Sequence, residues 1–306
     1  MSLARSLLLH ASRSRLLAGA LKRRRFFGRA ARRFMPGEEL SDALGAAREL
    51  SLRGVGTVLT KLGENITTPA EAESVEGHYA DAIGEIERAA LPTQLSVKLT
   101  QLGLDVDPRA CERAVRALAA RAGPRSTLWI DMEDSRYVDV TLDLYRRVRA
   151  EGANVGVCLQ AYLRRTPDDL EALLALEPAI RLVKGAYAEP GSVAFPKKRD
   201  VDAAYFALAA RLIERASHGK ARPVFGTHDM RLVSRIRARA AELKVPARSC
   251  EFHMLYGIGE KDQLALSAAG EAVRVLISYG SAWFAWYLRR LAERPANVWF
   301  VLKNLV

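Results

Sequence analysis

The sequence is poor in cysteine and lacks any apolar run that could cross a membrane. Its three cysteines, Cys111, Cys158 and Cys250, stand far apart and form no Cys-x-x-Cys pair. This spacing excludes a zinc ribbon and a disulfide framework, and it favours a reducing compartment. No apolar run approaches the roughly 18 residues that a spanning helix needs. We therefore expect a cytoplasmic protein, either soluble or peripheral on the inner face of the cytoplasmic membrane.

Acidic residues are absent from the first 34 positions, which carry ten basic residues. Because the net charge of the whole chain is +12, only +2 remains for everything after them. Leucine and phenylalanine accompany the basic residues, and this combination suits an anionic membrane surface, although it also resembles an organelle transit peptide or a merely solvated arm. No basic pattern interleaved with aromatics continues into the body, so no nucleic-acid partner is expected. We interpret residues 1–35 as a basic extension and 36–306 as one domain.

The domain shows a regular alternation of strand-like and helical patterns. After a helical stretch at 39–52, short apolar runs occur at 55–59, 94–99, 127–132, 155–160, 180–184, 223–227, 249–254 and 272–277. Helical periodicity fills the intervals, at 69–90, 108–121, 135–151, 166–176, 200–216, 229–243 and 258–269, and a last helix is predicted at about 281–293. Eight such units in about 250 residues predict an α/β protein with a parallel (β/α)8 TIM-type barrel.

A doubly wound sheet is the main alternative, and it lacks its usual glycine signature here. Gly54-Val55-Gly56 has no third glycine, and Gly257-Ile258-Gly259 follows a late strand. A dinucleotide fingerprint belongs after the first strand. The barrel is therefore the preferred fold.

Polar residues follow nearly every predicted strand. In a (β/α)8 barrel the carboxyl ends of the strands form the active-site rim. The residues expected there are Lys98, Asp131, Glu133, Asp134, Gln160, Tyr162, Arg181, Lys184, Thr227, His228, Glu251, His253 and Tyr279. Each also has a structural explanation: Lys98 can simply pair with Asp131, and a histidine on an apolar strand is often a core residue. The argument for function is their coincidence on one rim.

The fifth apolar run carries the strongest local signal. Arg181 lies inside it, where an unpaired charge is costly, so we expect a polar partner or a bound cofactor. Lys184 and Gly185 follow, and glycine lets another group approach the main chain closely. The pattern indicates an anionic or polarisable ligand, with an interior salt bridge as the alternative.

The last predicted helix places Arg289 and Arg290 side by side. Paired guanidinium groups suit a carboxylate, because each can donate two parallel hydrogen bonds. Glu293 stands at helical spacing from both and would orient either one. The alternative is a solvated basic turn near a helix end.

Seven collinear motifs resemble those of the proline dehydrogenase family, from about residue 36 to the C-terminus. They read Leu95-Ser-Val-Lys98-Leu99, Ile130-Asp131-Met132-Glu133, Leu159-Gln160-Ala161-Tyr162, Arg181-Leu-Val-Lys184-Gly185-Ala186-Tyr187, Gly226-Thr227-His228-Asp229, Glu251-Phe-His253-Met-Leu-Tyr256-Gly257 and Tyr287-Leu-Arg289-Arg290-Leu-Ala-Glu293-Arg-Pro-Ala-Asn297. The resemblance implies a distorted (β/α)8 barrel that binds FAD and oxidises L-proline to 1-pyrroline-5-carboxylate, the first step of proline degradation to glutamate. It also implies that electrons pass to a membrane quinone.

The resemblance further implies individual roles. Asp131 and Arg181 would be the catalytic pair, with Arg181 against the flavin near N5. The cofactor would be held by Met132, Gln160, Lys184, Gly185, Ala186, Thr227 and His228. The proline carboxylate would be bound by Lys98, Arg289 and Arg290. No metal is expected.

Four positions depart from the family pattern. Leu276 stands where many members have a tyrosine that packs on the substrate, Trp286 replaces a frequent tyrosine, His253 a common glutamine and Asp229 a common asparagine. The departures at Leu276 and Trp286 leave open a flavin-binding relative that acts on another cyclic amino acid or has lost turnover.

Two other enzyme classes are weaker alternatives. One is a metal-dependent hydrolase or isomerase that uses Asp131, His228, Glu251 and His253, but the first strand lacks the usual His-x-His. The other is a lyase that forms a Schiff base through Lys98 or Lys184.

Overall fold

A computed structural model of the chain describes residues 32–63, 66–246 and 248–283. Helix α1 (Leu40–Leu52) precedes the first strand. The strands are β1 (Gly56–Lys61), β2 (Thr93–Val97), β3 (Leu128–Ile130), β4 (Val155–Gln160), β5 (Ala179–Val183), β6 (Arg222–Gly226), β7 (Glu251–Leu255) and β8 (Ala272–Tyr279). The helices between them are α2 (Pro69–Arg88), α3 (Pro108–Ala122), α4 (Val138–Ala150), α5 (Thr166–Leu173), α6 (Lys198–Ser217), α7 (Met230–Glu242) and α8 (Glu260–Ala268).

The eight strands form a closed parallel barrel in chain order. Closure is made by β1 and β8, which pair from Gly56 opposite Arg274 to Lys61 opposite Tyr279. The predicted TIM-type barrel is confirmed, and a doubly wound sheet, which is open, is excluded.

Local sequence signals explain where several helices begin. Thr68 caps α2 and forms a reciprocal capping box with Glu71, ahead of Pro69 at the first helical position. Asp107 accepts hydrogen bonds from the first backbone amides of α3, and Asp229 does the same for α7. These caps satisfy amides that have no partner within the helix, so each helix starts at a defined residue after its strand.

The barrel lumen has its own small apolar core, separate from the layer between strands and helices. Val58, Trp129, Ala179 and Val224 form this cluster, and Leu276 packs against it while remaining partly exposed. The indole occupies space that Gly156 leaves open, because a β-carbon at that glycine would lie 2.4 Å from the Trp129 ring. The lumen is therefore filled by side chains and is not an open pore.

Most element boundaries lie within two residues of those predicted, with two informative differences. The helix predicted at 135–151 begins as a 3₁₀ turn (Ser135–Tyr137), and the one at 166–176 ends as another (Leu174–Leu176). The strand predicted at 249–254 starts at Glu251, which places this carboxylate at the amino end of β7. The helix predicted at 281–293 lies beyond Trp283, almost entirely outside the described residues.

Within these described ranges, no helix is both long and apolar enough to pass through a bilayer.

Candidate active site

A cluster of charged side chains lies at the carboxyl ends of β2, β3 and β5. Lys98 directly follows β2, Asp131 directly follows β3, and the two side chains form an ion pair with 3.0 Å between Nζ and Oδ2. Arg181 reaches the other oxygen of Asp131 through Nη2. The same Nη2 donates to Ser96 Oγ at 2.8 Å, and that hydroxyl in turn donates to Asp131 at 2.8 Å. One carboxylate thus fixes two cations from different strands.

The electrostatics of this cluster favour the ionised forms. Burial by itself would raise the pKa of the Asp131 carboxyl, but Lys98 and Arg181 outweigh burial and hold it below its ordinary value. Burial would lower the pKa of the Lys98 ammonium, but Asp131 and Tyr187 outweigh it and raise that pKa. Asp131 is therefore an anion and Lys98 a cation at neutral pH. A Schiff-base lyase needs a neutral lysine amine, so this arrangement argues against that role for Lys98.

Several buried polar atoms toward this end of the barrel have no hydrogen-bond partner in the described chain, among them Arg181 Nη1, Gln160 Oε1 and Tyr162 Oη. The amide nitrogen of Gln160 donates to the carbonyl oxygens of Met132, at 3.3 Å, and Glu133, at 3.2 Å. Those bonds fix the amide, so its oxygen has a defined direction. A buried donor and a buried acceptor without partners are costly, which is the pattern expected where a polar ligand completes the site.

In the segment after β5, the Lys184 side chain is held by two carboxylates, and the residue that follows it is a glycine in a crowded position. The Lys184 ammonium bonds to Asp202 at 2.6 Å and to Asp229 at 2.9 Å. Gly185 has φ of +110° and lies so close to Tyr162 that a β-carbon there would be 2.1 Å from the ring. Any larger residue would displace that ring, so glycine is required. Lys184 and Gly185 are partly exposed, and Ala186 is exposed.

Thr227 and His228 follow β6. The Thr227 hydroxyl accepts from the amide of Asp229 at 3.1 Å. The amide of Leu255 donates to His228 Nε2 at 2.9 Å, so in the neutral imidazole the proton lies on Nδ1. Met132, after β3, is almost fully buried. These three residues therefore lie at the same end of the barrel as Asp131.

Three residues predicted for the rim lie elsewhere. Glu251 opens β7 at the amino end of the barrel, and His253 lies in mid-strand and bonds to it, with 2.5 Å between Nε2 and Oε1. Tyr279 ends β8 but points outward, where its hydroxyl meets His78 at 2.8 Å. The rim prediction was wrong for Glu251 and His253 because the strand begins two residues later than predicted. It was wrong for Tyr279 because side chains alternate between the two faces of a strand.

The set proposed for a metal-dependent hydrolase is not assembled, since Asp131 and Glu251 belong to opposite ends of the barrel. Across the part of the chain that the structure describes, no three His, Cys, Asp or Glu side chains converge as a metal site would require.

Sequence analysis missed Ser96 and Trp129. Ser96 bonds to both Asp131 and Arg181, and the Arg181 guanidinium carbon lies 5.2 Å from the centroid of the Trp129 ring. Ser96 lies two positions before Lys98, and Trp129 lies two positions before Asp131. Since strand residues two apart share a face, this spacing is the signal that would have found them.

Arg289 and Arg290, together with Trp286 and Glu293, lie outside the described residues. Their predicted roles stay predictions.

The closed barrel with charged groups at its strand ends defines an enzyme of the (β/α)8 class. The family model described as proline dehydrogenase matches residues 43–303 of this chain. Proline dehydrogenase 1 of Bacillus subtilis (strain 168) is 36% identical over 277 residues, which cover 90% of each chain. The proline dehydrogenase of Deinococcus radiodurans is 35% identical over 282 residues, again 90% of each. The chain belongs to the proline dehydrogenase family and is an oxidoreductase.

A solved structure agrees at the level of fold. Proline utilization A from Bdellovibrio bacteriovorus, inactivated by N-propargylglycine, superposes with a TM-score of 0.81 at 24% identity. The match covers 91% of this chain and 34% of that one, so the chain spans about a third of the length of this larger relative.

Proposed function

We propose that the chain uses FAD to oxidise L-proline to 1-pyrroline-5-carboxylate, the first step in degrading proline to glutamate. Membership of the family supports proline as the substrate. The observation that carries the cofactor assignment is the pair of buried atoms without partners, Arg181 Nη1 and Gln160 Oε1. One donates and the other accepts, and a flavin ring edge offers both kinds of partner.

The residues at the strand ends fit a flavin in other respects. The segment from Lys184 to Ala186 is partly or fully exposed, and position 185 has no room for a side chain larger than that of glycine. Met132, Thr227 and His228 lie at the same end of the barrel and complete the proposed cofactor-binding set. When bound, the flavin supplies the acceptor for the hydride that leaves the ring carbon next to the proline nitrogen.

The protein supplies placement and charge. Lys98 has three N–H donors and uses one on Asp131, so it can also donate to a substrate carboxylate. Arg289 and Arg290 would bind the same carboxylate. Asp131 holds Arg181 and Lys98 in fixed positions, and a positive charge held at this point stabilises negative charge that develops during hydride transfer. Asp131 and Arg181 are therefore the proposed catalytic pair.

Completion of the cycle requires that the electrons leave the protein. We propose a membrane quinone as acceptor, with the protein in the cytoplasm and peripheral on the inner face of the cytoplasmic membrane. The basic extension of residues 1–35 supports this location, because ten cations without an acid are attracted to anionic lipid.

The test is spectroscopic. The purified protein should be yellow, and L-proline should bleach the visible flavin band in the absence of oxygen, with 1-pyrroline-5-carboxylate formed in equal amount to the flavin reduced. D-proline is the matched control and should leave the band unchanged at the same concentration. A colourless protein that does not take up added FAD would overturn the cofactor assignment. A yellow protein whose flavin is not reduced by L-proline would overturn the assignment of proline as the substrate.

A further inference from the structure

Asp229 is one of the four positions that depart from the family pattern, and it lies beside the proposed cofactor-binding residues. It follows Thr227 and His228 after β6, and its amide donates to the Thr227 hydroxyl at 3.1 Å. Its carboxylate accepts from the Lys184 ammonium, with 2.9 Å between Oδ2 and Nζ. Thr227 and Lys184 belong to two separate segments of the proposed cofactor-binding set. Asp229 therefore links the segment after β5 to the segment after β6.

The Lys184 ammonium is held by a second carboxylate as well. Asp202, near the start of α6, accepts from Lys184 Nζ at 2.6 Å and also pairs with Lys198. Burial by itself would raise the pKa of the Asp229 carboxyl, but Lys184 and Lys198 outweigh it and hold that pKa below its ordinary value. Asp229 is therefore an anion at neutral pH. Two of the three N–H donors of Lys184 are thus directed at carboxylates, which fixes this side chain to α6 and to the start of α7.

The two oxygens of the Asp229 carboxylate serve different partners. Oδ2 accepts from Lys184, whereas Oδ1 accepts from the amide of Arg231 at 3.3 Å and so caps α7. The cap anchors the carboxylate on a helix of 13 residues, which is a rigid element from which a site can be positioned. An asparagine can keep the cap through its oxygen, but it carries no charge with which to hold Lys184. The two roles can therefore be separated by substitution.

We propose that Asp229 is a positioning residue for the cofactor: acting through Lys184, it holds the segment after β5 in place against the segment after β6. The inference rests on the proposed function in one respect, that FAD is the cofactor bound by these two segments. The Lys184 ammonium then serves as an anchor, and the main chain that follows it binds FAD. If the ammonium instead bound the FAD diphosphate directly, Asp229 would compete with the cofactor for it, and loss of the Asp229 charge would tighten FAD binding. The two arrangements therefore predict changes of opposite sign.

The rate at which FAD leaves the flavin-loaded chain tests this placement, and it is followed by the fluorescence of free FAD after dilution. Asp229→Asn should release FAD about tenfold faster than the wild type, because a hydrogen bond to a charged group is worth about that factor. Asp200→Asn is the matched control for charge, since Asp200 also lies near the start of α6 but pairs with the exposed Arg199. It should leave the release rate unchanged. In a Lys184→Met background, Asp229→Asn should add no further change, because the ammonium through which it acts is gone.

Asp229→Ala separates positioning from helix capping. Its matched control is Asp107→Ala, because Asp107 caps α3 in the same way and accepts from the amide of Arg109 at 2.9 Å. Both alanine variants should lower the free energy of unfolding, but only Asp229→Ala should speed the release of FAD.

Unchanged or slower release from Asp229→Asn overturns the inference, and so does an equal acceleration in the two alanine variants. A wild type that binds no FAD overturns the proposed cofactor and this inference with it. Normal binding by the wild type, together with unaltered release from Asp229→Asn, overturns the inference alone.

Discussion

Arg181 and Arg222 both face the ring of Trp129, yet they belong to different parts of the lumen. Their guanidinium carbons lie 5.2 Å and 5.7 Å from the ring centroid. Arg222 opens β6 at the amino end and bonds to Thr127 Oγ1 at 2.5 Å and to Glu251 at 3.3 Å. Arg181 faces the carboxyl end of the barrel, which we call the mouth, and it keeps one nitrogen without a partner. One arginine is satisfied by the protein, whereas the other is left for a ligand.

At the amino end of the lumen the charged side chains pair with one another. Glu251 accepts from Arg222, from Arg274 at 3.1 Å and from His253 at 2.5 Å. Burial by itself would raise the pKa of the Glu251 carboxyl, but His253 and the two arginines outweigh it and hold it well below its ordinary range. A buried charge with this many partners is the arrangement of a structural network. The buried atom without a partner in this network is Nδ1 of the His253 imidazole. At the carboxyl end of the barrel, by contrast, it is a nitrogen of the charged Arg181 guanidinium that lacks a partner, and that difference distinguishes a ligand site from a structural network.

Arg181→Met against Arg222→Met tests this comparison most strongly. Loss of the Arg181 charge should lower kcat for proline about 1,000-fold, since a preorganised charge near the reacting atoms is worth about that much. Arg222→Met should keep kcat within a few fold and lower the free energy of unfolding instead. Steady-state rates with a soluble electron acceptor and urea unfolding curves check both. Equal losses of turnover in the two variants would contradict the division of roles.

Glu251→Gln should lower the free energy of unfolding and leave turnover unchanged, the opposite of what we expect for Arg181→Met. Removing this charge leaves two arginines without their buried acceptor, and breaking such a network costs about 3–5 kcal/mol of unfolding free energy. The KM for proline should not change. Glu260→Gln is the matched control, because Glu260 pairs with Arg53 at an exposed position and should cost at most about 1 kcal/mol. A similar cost for both glutamines would show that the interior network contributes nothing special.

His253 predicts a pH dependence of stability. Burial lowers the pKa of its imidazole to about 4, against the opposing effect of Glu251. As pH falls below about 6.5 the unfolded chain binds a proton that the folded chain refuses, so the folded state loses stability as pH falls. Between pH 7 and 5 the loss should reach about 2 kcal/mol. Glu251, whose pKa is depressed, adds its own loss only below about 4.3. Urea titrations of the wild type and His253→Gln at several pH values check the window, and parallel curves would refute this assignment.

The sequence predicted the barrel and most of the mouth because both follow from local patterns. Eight apolar runs with helical intervals leave few topologies, and Lys98, Asp131 and Arg181 directly follow or lie within those runs. Glu251 was misplaced because the run at 249–254 gives no sign of where its hydrogen bonding begins. Which groups share a carboxylate depends on distances across the lumen, so neither the Ser96 bridge nor the pairing of Lys184 with Asp202 could be derived from spacing.

Leu276→Tyr should have the smallest effect and bears on the substrate. Leu276 packs against the lumen cluster of Val58, Trp129, Ala179 and Val224 and remains partly exposed, so a larger ring can extend toward the mouth without a buried clash. The family resemblance puts a substrate-packing tyrosine here in many members. An aromatic contact with the proline ring is worth about 1 kcal/mol, so kcat/KM should rise about fivefold. Leu276→Phe separates ring packing from the hydroxyl, since it should give most of the gain. If neither variant gains on proline, whereas the wild type oxidises a six-membered cyclic amino acid faster than proline, Leu276 reflects a different substrate and not a weakened site.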